Sequence, residues 1–151
     1  AARFFLISRS QDQTLDLDLD LARKQSQDNP VYYVQYAHAR IASIIRNIPE
    51  GTSAAIPESG KVFATPYERA LIKRLESFPV VVQDAAERRA PHRIAGFAQE
   101  LAADFHVFYK HCRVIGVGEE ESASRLALCL VTKHVIARCL DLVGVSAPES
   151  M

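Results

Sequence analysis

Asn29-Pro30-Val31-Tyr32-Tyr33-Val34-Gln35-Tyr36-Ala37-His38-Ala39-Arg40 is the stretch on which the reading of this chain turns. It opens as a helix start. Asn29 can accept a hydrogen bond from an orphan N–H of the first turn, and Pro30 loses nothing at the first helical position. Val34, His38, Ile41, Ile45 and Ile48 then follow at helical spacing and make one apolar face. Tyr33, Tyr36 and Arg40 stand three and four residues apart, so they share a different face. Two phenols and a guanidinium on one helical stripe can stack on flat rings and touch phosphate. Spacing alone favours a plainer arrangement, with the tyrosines in a core and Arg40 in water.

Length and composition bound what surrounds that helix. At 151 residues the chain is one domain, or one domain with an appendage, and 48% hydrophobic residues suffice for a core. Lys and Arg number 18, as do Asp and Glu, so the formal charge is zero. That argues against a protein that coats nucleic acid through bulk charge, and leaves room for a local basic face. No stretch approaches the length of a membrane span, and no charged-then-apolar leader is present. The chain starts Ala1-Ala2-Arg3 rather than with Met, which reads as a cut through a longer polypeptide. Cys112, Cys129 and Cys139 read as reduced, buried thiols of a cytoplasmic protein. His111 beside Cys112 does not make a catalytic pair, because helical neighbours point in different directions.

Taken in order, Phe4-Phe5-Leu6-Ile7 is a short apolar segment that needs a cover. Leu15, Leu17, Leu19 and Leu21 alternate with Asp16, Asp18 and Asp20, which predicts a strand with one buried face. The aspartates do not make an EF-hand loop. The sixth residue from Asp16 is Leu21 where the turn needs Gly, and the twelfth is Gln27 where a bidentate Glu belongs. Beyond the first long helix, Ile48 to Lys61 reads as a loop by composition. Thr65-Pro66-Tyr67-Glu68 predicts a capped helix start. Pro79 is expected to end that helix and to leave a second short one over Asp84 to Arg89.

Ala90-Pro91 starts the next helix, with Ile94, Phe97, Leu101, Phe105, Phe108 and Cys112 as its apolar stripe and Val117-Gly118 as its end. Beside that stripe run Ala102, His106, Tyr109 and Arg113. Glu119-Glu120-Glu121 suits the positive end of a last helix, where Glu121 can pair with Arg125. From Ser122 to Val143 apolar residues occur almost all round, which predicts a helix in the middle of a bundle, ended by Gly144. The fold class expected is all-α, a bundle of about five helices with a short extended, strand-like N-terminal arm. No nucleophile–base constellation, no metal-ligand spacing among the five histidines and no glycine-rich phosphate loop is visible.

The opening stretch resembles the helix that joins the catalytic domain of arginyl-tRNA synthetases to their C-terminal anticodon-binding domain. That family carries a nearly identical Asn-Pro-aromatic-Tyr-x-Gln-Tyr-Ala-His-x-Arg run. Arg3 to Leu6, Ser8 to Ser10 and Leu15 to Ala22 are similar to the family's last catalytic-domain pieces. Pro91-His92-Arg93-Ile94, the Phe105-His106-x-Phe108-Tyr109 run, Arg125-Leu126-Ala127-Leu128 and the tail from Gly144 to Met151 resemble its DALR anticodon-binding domain. At the Asp-Ala-Leu-Arg piece itself, this chain has Ser122-Ala123-Ser124-Arg125, so only Ala and Arg survive.

The resemblance implies residues 1–27 as a remnant of a class I catalytic domain, disordered or self-associated without its neighbour, and 28–151 as the helical anticodon-binding domain. It implies Tyr33, Tyr109 and Met151 as contacts to the anticodon loop. Tyr36, Arg40 and Arg113 share the tyrosines' faces and can stack or reach phosphate. The family's ATP-gripping signatures, of the His-x-Gly-His and Lys-Met-Ser-Lys kinds, do not occur in this sequence. The resemblance therefore implies a parent arginine–tRNA ligase that uses ATP with magnesium, and a 151-residue piece that binds arginine tRNA without activating arginine and holds no cofactor. Its expected partners are that tRNA and the catalytic domain, in the cytoplasm, with no membrane. A helical protein-interaction module is the alternative reading.

Overall fold

The computed structural model describes residues 1–10, 18–56, 63 and 65–151. Among these the secondary structure is helical throughout: α1 (Ala2–Ile7), α2 (Leu19–Arg23), α3 (Pro30–Arg46), α4 (Pro66–Glu87), α5 (His92–His111) and α6 (Glu119–Leu142). The starts follow their local chemistry. Asn29 Oδ1 accepts from the N–H groups of Val31 and Tyr32 at the head of α3. Thr65 and Glu68 form a reciprocal capping box at the head of α4. Gly144, at φ +67°, ends α6 with Val145 N–H donating to Leu140 O and Gly144 N–H to Asp141 O, a Schellman arrangement that the left-handed residue makes possible.

The expected strand-like arm is not what forms at the N-terminus. Asp18 caps a helical turn instead, accepting from the N–H groups of Asp20 and Leu21, so Leu19 and Leu21 leave the period-two pattern. Leu15, Asp16 and Leu17 lie outside the described residues, as do residues 57–62 of the loop. The segment Phe4 to Ile7 is helical and docked against α5 through Phe4, which is fully buried, while Leu6 stays exposed; Arg3 donates to Gly144 O at 2.8 Å. Phe4 is therefore not an exposed patch for self-association.

Pro79 does not end its helix. It sits inside the 22-residue α4. An internal proline costs roughly 3 kcal/mol in helical terms. Here Leu71 and Ile72 before it and Val82 and Ala85 after it belong to the same core, α4 and α5 form the most extensive helix pair, and Phe78 packs on Phe97 at 5.5 Å. Tertiary packing of both halves outweighs the local cost.

The middle of the bundle is α5, not α6. It touches α1, α3, α4 and α6, and buries Phe97, Leu101, Phe105 and Phe108. α6 keeps Leu130 and Val131 at 40% and 49% exposure, so its all-round apolar pattern does not mean all-round cover. The three cysteines are free and buried, and burial pushes the thiols of Cys129 and Cys139 up to about 12, which leaves them inert.

One buried ion pair ties the long helices together. Arg125 Nε donates to Glu68 Oε1 at 2.7 Å, with Glu68 fully buried and Arg125 nearly so. Burial alone would raise the Glu68 carboxyl; hydrogen bonds from Thr65 and Arg125 outweigh it and hold the group below its usual value. Glu68→Gln is expected to lower stability by about 1–3 kcal/mol at neutral pH, because it removes the fully buried charge partner of Arg125 and leaves the partly exposed Glu121 as its counter-ion. Urea unfolding measures this. The folded-state carboxyl is depressed, so its contribution is full above the ordinary carboxylate range and lost as pH falls through the folded value. The gap between wild type and variant should close in acid; a pH-independent gap would refute the assignment.

Candidate nucleic-acid interface

The helix stripe of Tyr33, Tyr36 and Arg40 meets α5 at His106 and Tyr109. His106 is the hub. Its ring lies 4.8 Å from that of Tyr33, tilted, and 5.7 Å from that of Tyr36, stacked. Burial, then the nearby Arg40 charge, holds the His106 imidazole below its usual value, so it is a neutral ring in an aromatic stack. Tyr33 is half-buried, and burial, with Asp104 adding to it, raises its phenol, which stays protonated.

Arg40 is exposed and lies over the Tyr109 ring at 5.0 Å, with its guanidinium 3.4 Å from the Tyr109 hydroxyl. Tyr109 rests in turn on Phe105, stacked at 5.9 Å. From Arg40 and Tyr109 a cleft of about 560 Å³ opens toward Lys110, Arg113 and Ile115. On the other side of Arg40 a smaller one of about 160 Å³ is lined by Tyr36, Ser43, Arg46 and Met151. The two share Arg40 and Ser43.

Five of the six residues singled out in the sequence thus line adjoining clefts: Tyr36, Arg40, Tyr109, Arg113 and Met151. Tyr33 lines neither, and its ring packs against that of His106. Arg113 reaches its cleft in an unexpected way. α5 ends at His111, with Cys112 extended as its C-cap, so Arg113 belongs to the following turn and not to the helix face of Tyr109. That turn is pinned from α6, where Arg125 donates to Arg113 O at 2.8 Å. The Arg113 guanidinium folds over Gly116, whose φ of +78° and lack of a Cβ admit it.

The clefts carry Arg40, Arg46, Lys110 and Arg113, and no Asp or Glu side chain is among the described residues that line them. A neutral chain therefore presents a local cationic surface paved with tyrosine. Among the described residues no group of three His, Cys, Asp or Glu is placed to hold a metal ion, and no helix is long and apolar enough to cross a membrane.

Sequence reasoning missed what holds the tail. Gln35, His38 and Arg46 on α3 donate to the carbonyls of Ser146, Pro148 and Glu149 at 2.8, 2.8 and 2.9 Å. Lys133 on α6 meets the Glu149 carboxylate at 2.7 Å and holds it below its usual value. The one available signal was a histidine at a buried position of an apolar face.

Comparison with known proteins agrees with the helical architecture. A model of the DALR anticodon binding domain matches residues 34–151. Over its whole length the chain is 45% identical to an arginine–tRNA ligase of Carboxydothermus hydrogenoformans and 49% identical to one of Syntrophotalea carbinolica, and it spans 28% of the length of each. The arginyl-tRNA synthetase structure of Thermus thermophilus superimposes with a TM-score of 0.86 at 35% identity, covering 99% of this chain and 26% of that one.

The Arg40 charge is one of two causes that depress His106. Arg40→Gln should therefore raise the His106 pKa, yet leave it below the ordinary histidine value because the burial remains. Titration of the imidazole proton resonances by NMR measures this, and an unchanged or lowered value would refute the charge coupling.

Proposed function

The chain belongs to the DALR anticodon-binding domain family, and on that premise we propose that it grips the anticodon loop of an arginine tRNA. The observation that carries the reading is the pair of adjoining clefts, cationic and floored by tyrosine on a chain of zero net charge. An anticodon loop is single-stranded, and its bases can be splayed onto aromatic faces. Tyr36 and Tyr109 offer such faces beside Arg40. Arg40, Arg46, Lys110 and Arg113 neutralise phosphates along the strand. Tyr33 stiffens the stack through His106 and presents its protonated hydroxyl as a donor. Met151 closes the far end with its thioether.

In this reading residues 1–27 are the last part of a class I catalytic domain and 28–151 the anticodon-binding domain. The whole is a cytoplasmic arginine–tRNA ligase that joins arginine to its tRNA using ATP with magnesium. The 151 residues supply recognition. Activation of arginine belongs to the rest of the enzyme.

Binding of arginine tRNA to the purified chain tests the proposal. Affinity should fall steeply with salt, since phosphate contacts dominate it. A tRNA of different anticodon should bind more weakly. Tyr109→Ala should cost about 1–3 kcal/mol, the value of one stacked base, with helical content unchanged. Equal affinity for both tRNAs, or none lost in a folded Tyr109 variant, would refute it and favour a protein partner for the same surface.

A further inference from the structure

Past the turn at Gly144 the chain runs back along α3, and α3 holds it by its backbone. The bonds from Gln35, His38 and Arg46 go to main-chain carbonyls, so they set the path of the tail rather than reading its side chains. His38 differs from the other two. It is 3% exposed and lies beneath the tail, whereas Arg46 is on the surface. Pro148 O can only accept, so His38 Nδ1 carries the proton and donates. Its Nε2 lies 3.9 Å from the Glu149 carboxylate that Lys133 secures from the other side. Met151 stands two residues past Glu149, and two residues extend at most about 7 Å. Anchoring at Pro148 and Glu149 therefore confines Met151 to the mouth of the smaller cleft, beside Tyr36, Arg40 and Arg46.

We propose that His38 is a positioning residue for the nucleic-acid site: by holding Pro148 and Glu149 from below, it presents the Met151 thioether to the bound loop at a fixed place. The proposal deepens the tRNA reading and rests on it for the choice of ligand. A tail without these anchors would have to be ordered at the moment of binding, and that entropy would oppose affinity.

Met151 is the single methionine of the chain, so a ¹³C-methyl methionine label reports the tail through one resonance. His38→Leu removes the donor. His38→Asn keeps an N–H near the place of Nδ1. Gln35→Ala loosens the tail from its solvent side and serves if the buried variant does not fold. In His38→Leu and Gln35→Ala the resonance should move toward the random-coil position, while His38→Asn should keep most of the wild-type shift. Affinity for arginine tRNA should fall roughly tenfold in His38→Leu, about the loss of one well-placed contact. In a chain lacking Met151 the same substitution should change affinity little, since there is nothing left to position. A resonance unmoved in a folded His38→Leu, or in Gln35→Ala where that variant does not fold, overturns the proposal, as does an affinity loss equally large with and without Met151. If the wild-type chain binds no tRNA, the reading of the ligand fails separately, and the methyl resonance still decides whether His38 seats the tail.

Discussion

The arrangement hangs on a charge taken out of water. Glu68 stands at the third position of α4, fully buried, and both its oxygens accept hydrogen bonds, from Thr65 N–H, Thr65 Oγ1 and Arg125 Nε. Arg125 divides its donors among Glu68, Glu121 and Arg113 O. A buried pair of this kind adds little net stability compared with apolar residues of the same volume, but losing one partner is expensive. Its consequence is registry. It fixes the head of α4 against the head of α6 and captures a carbonyl just past the end of α5. That carbonyl belongs to Arg113, so the same guanidinium that locks the core also sets the wall of the larger cleft. Of the Asp-Ala-Leu-Arg piece that names the family, the arginine is kept here, and this is its physical work.

Around that lock, α5 organises the layers. It contacts α1, α3, α4 and α6, and its Phe105 supports both His106 and Tyr109. The aromatic surface of the clefts is therefore continuous with the core through stacked rings. An exposed ring on such a base loses little rotamer freedom when a base stacks on it, because the freedom was lost on folding. The same helix explains why α4 runs straight through Pro79. A helix whose two halves lie on one partner is held together by that partner.

What could be read in advance was what depends on near neighbours. The caps at Asn29 and Thr65, the end at Gly144 and the Glu121–Arg125 pair are all interactions within one turn of chain, and each is present. The readings that went astray asked a local pattern to decide a non-local question. Alternation at Leu19 and Leu21 suggested a strand, but Asp18 could cap and did. Helical spacing carried α5 on to Gly118, but the hydrogen bond from Arg125 claims the chain at Arg113 and the helix stops at His111. The grouping of Tyr36, Arg40 and Tyr109 was legible because each helix keeps its own stripe and the stripes face one another. The clamp on the tail was not, because main-chain carbonyls leave no trace in a sequence.

Zero net charge and a nucleic-acid site are compatible once the charges are followed to their partners. Arg74, Arg88, Arg93, Arg125 and Arg138 are each paired with Asp or Glu across the bundle or along a helix. The carboxylates of these pairs are thus engaged away from the residues that line the clefts, and the cations at Arg40 and Arg113 face tyrosine and glycine instead. Neutrality in sum hides a separation in space. A field confined to one cleft, and screened within about 8–10 Å at physiological salt, cannot hold a long stretch of backbone. The ligand proposed above fits such a field: a short, sharply folded segment whose phosphates converge and whose unpaired bases can reach the tyrosine faces.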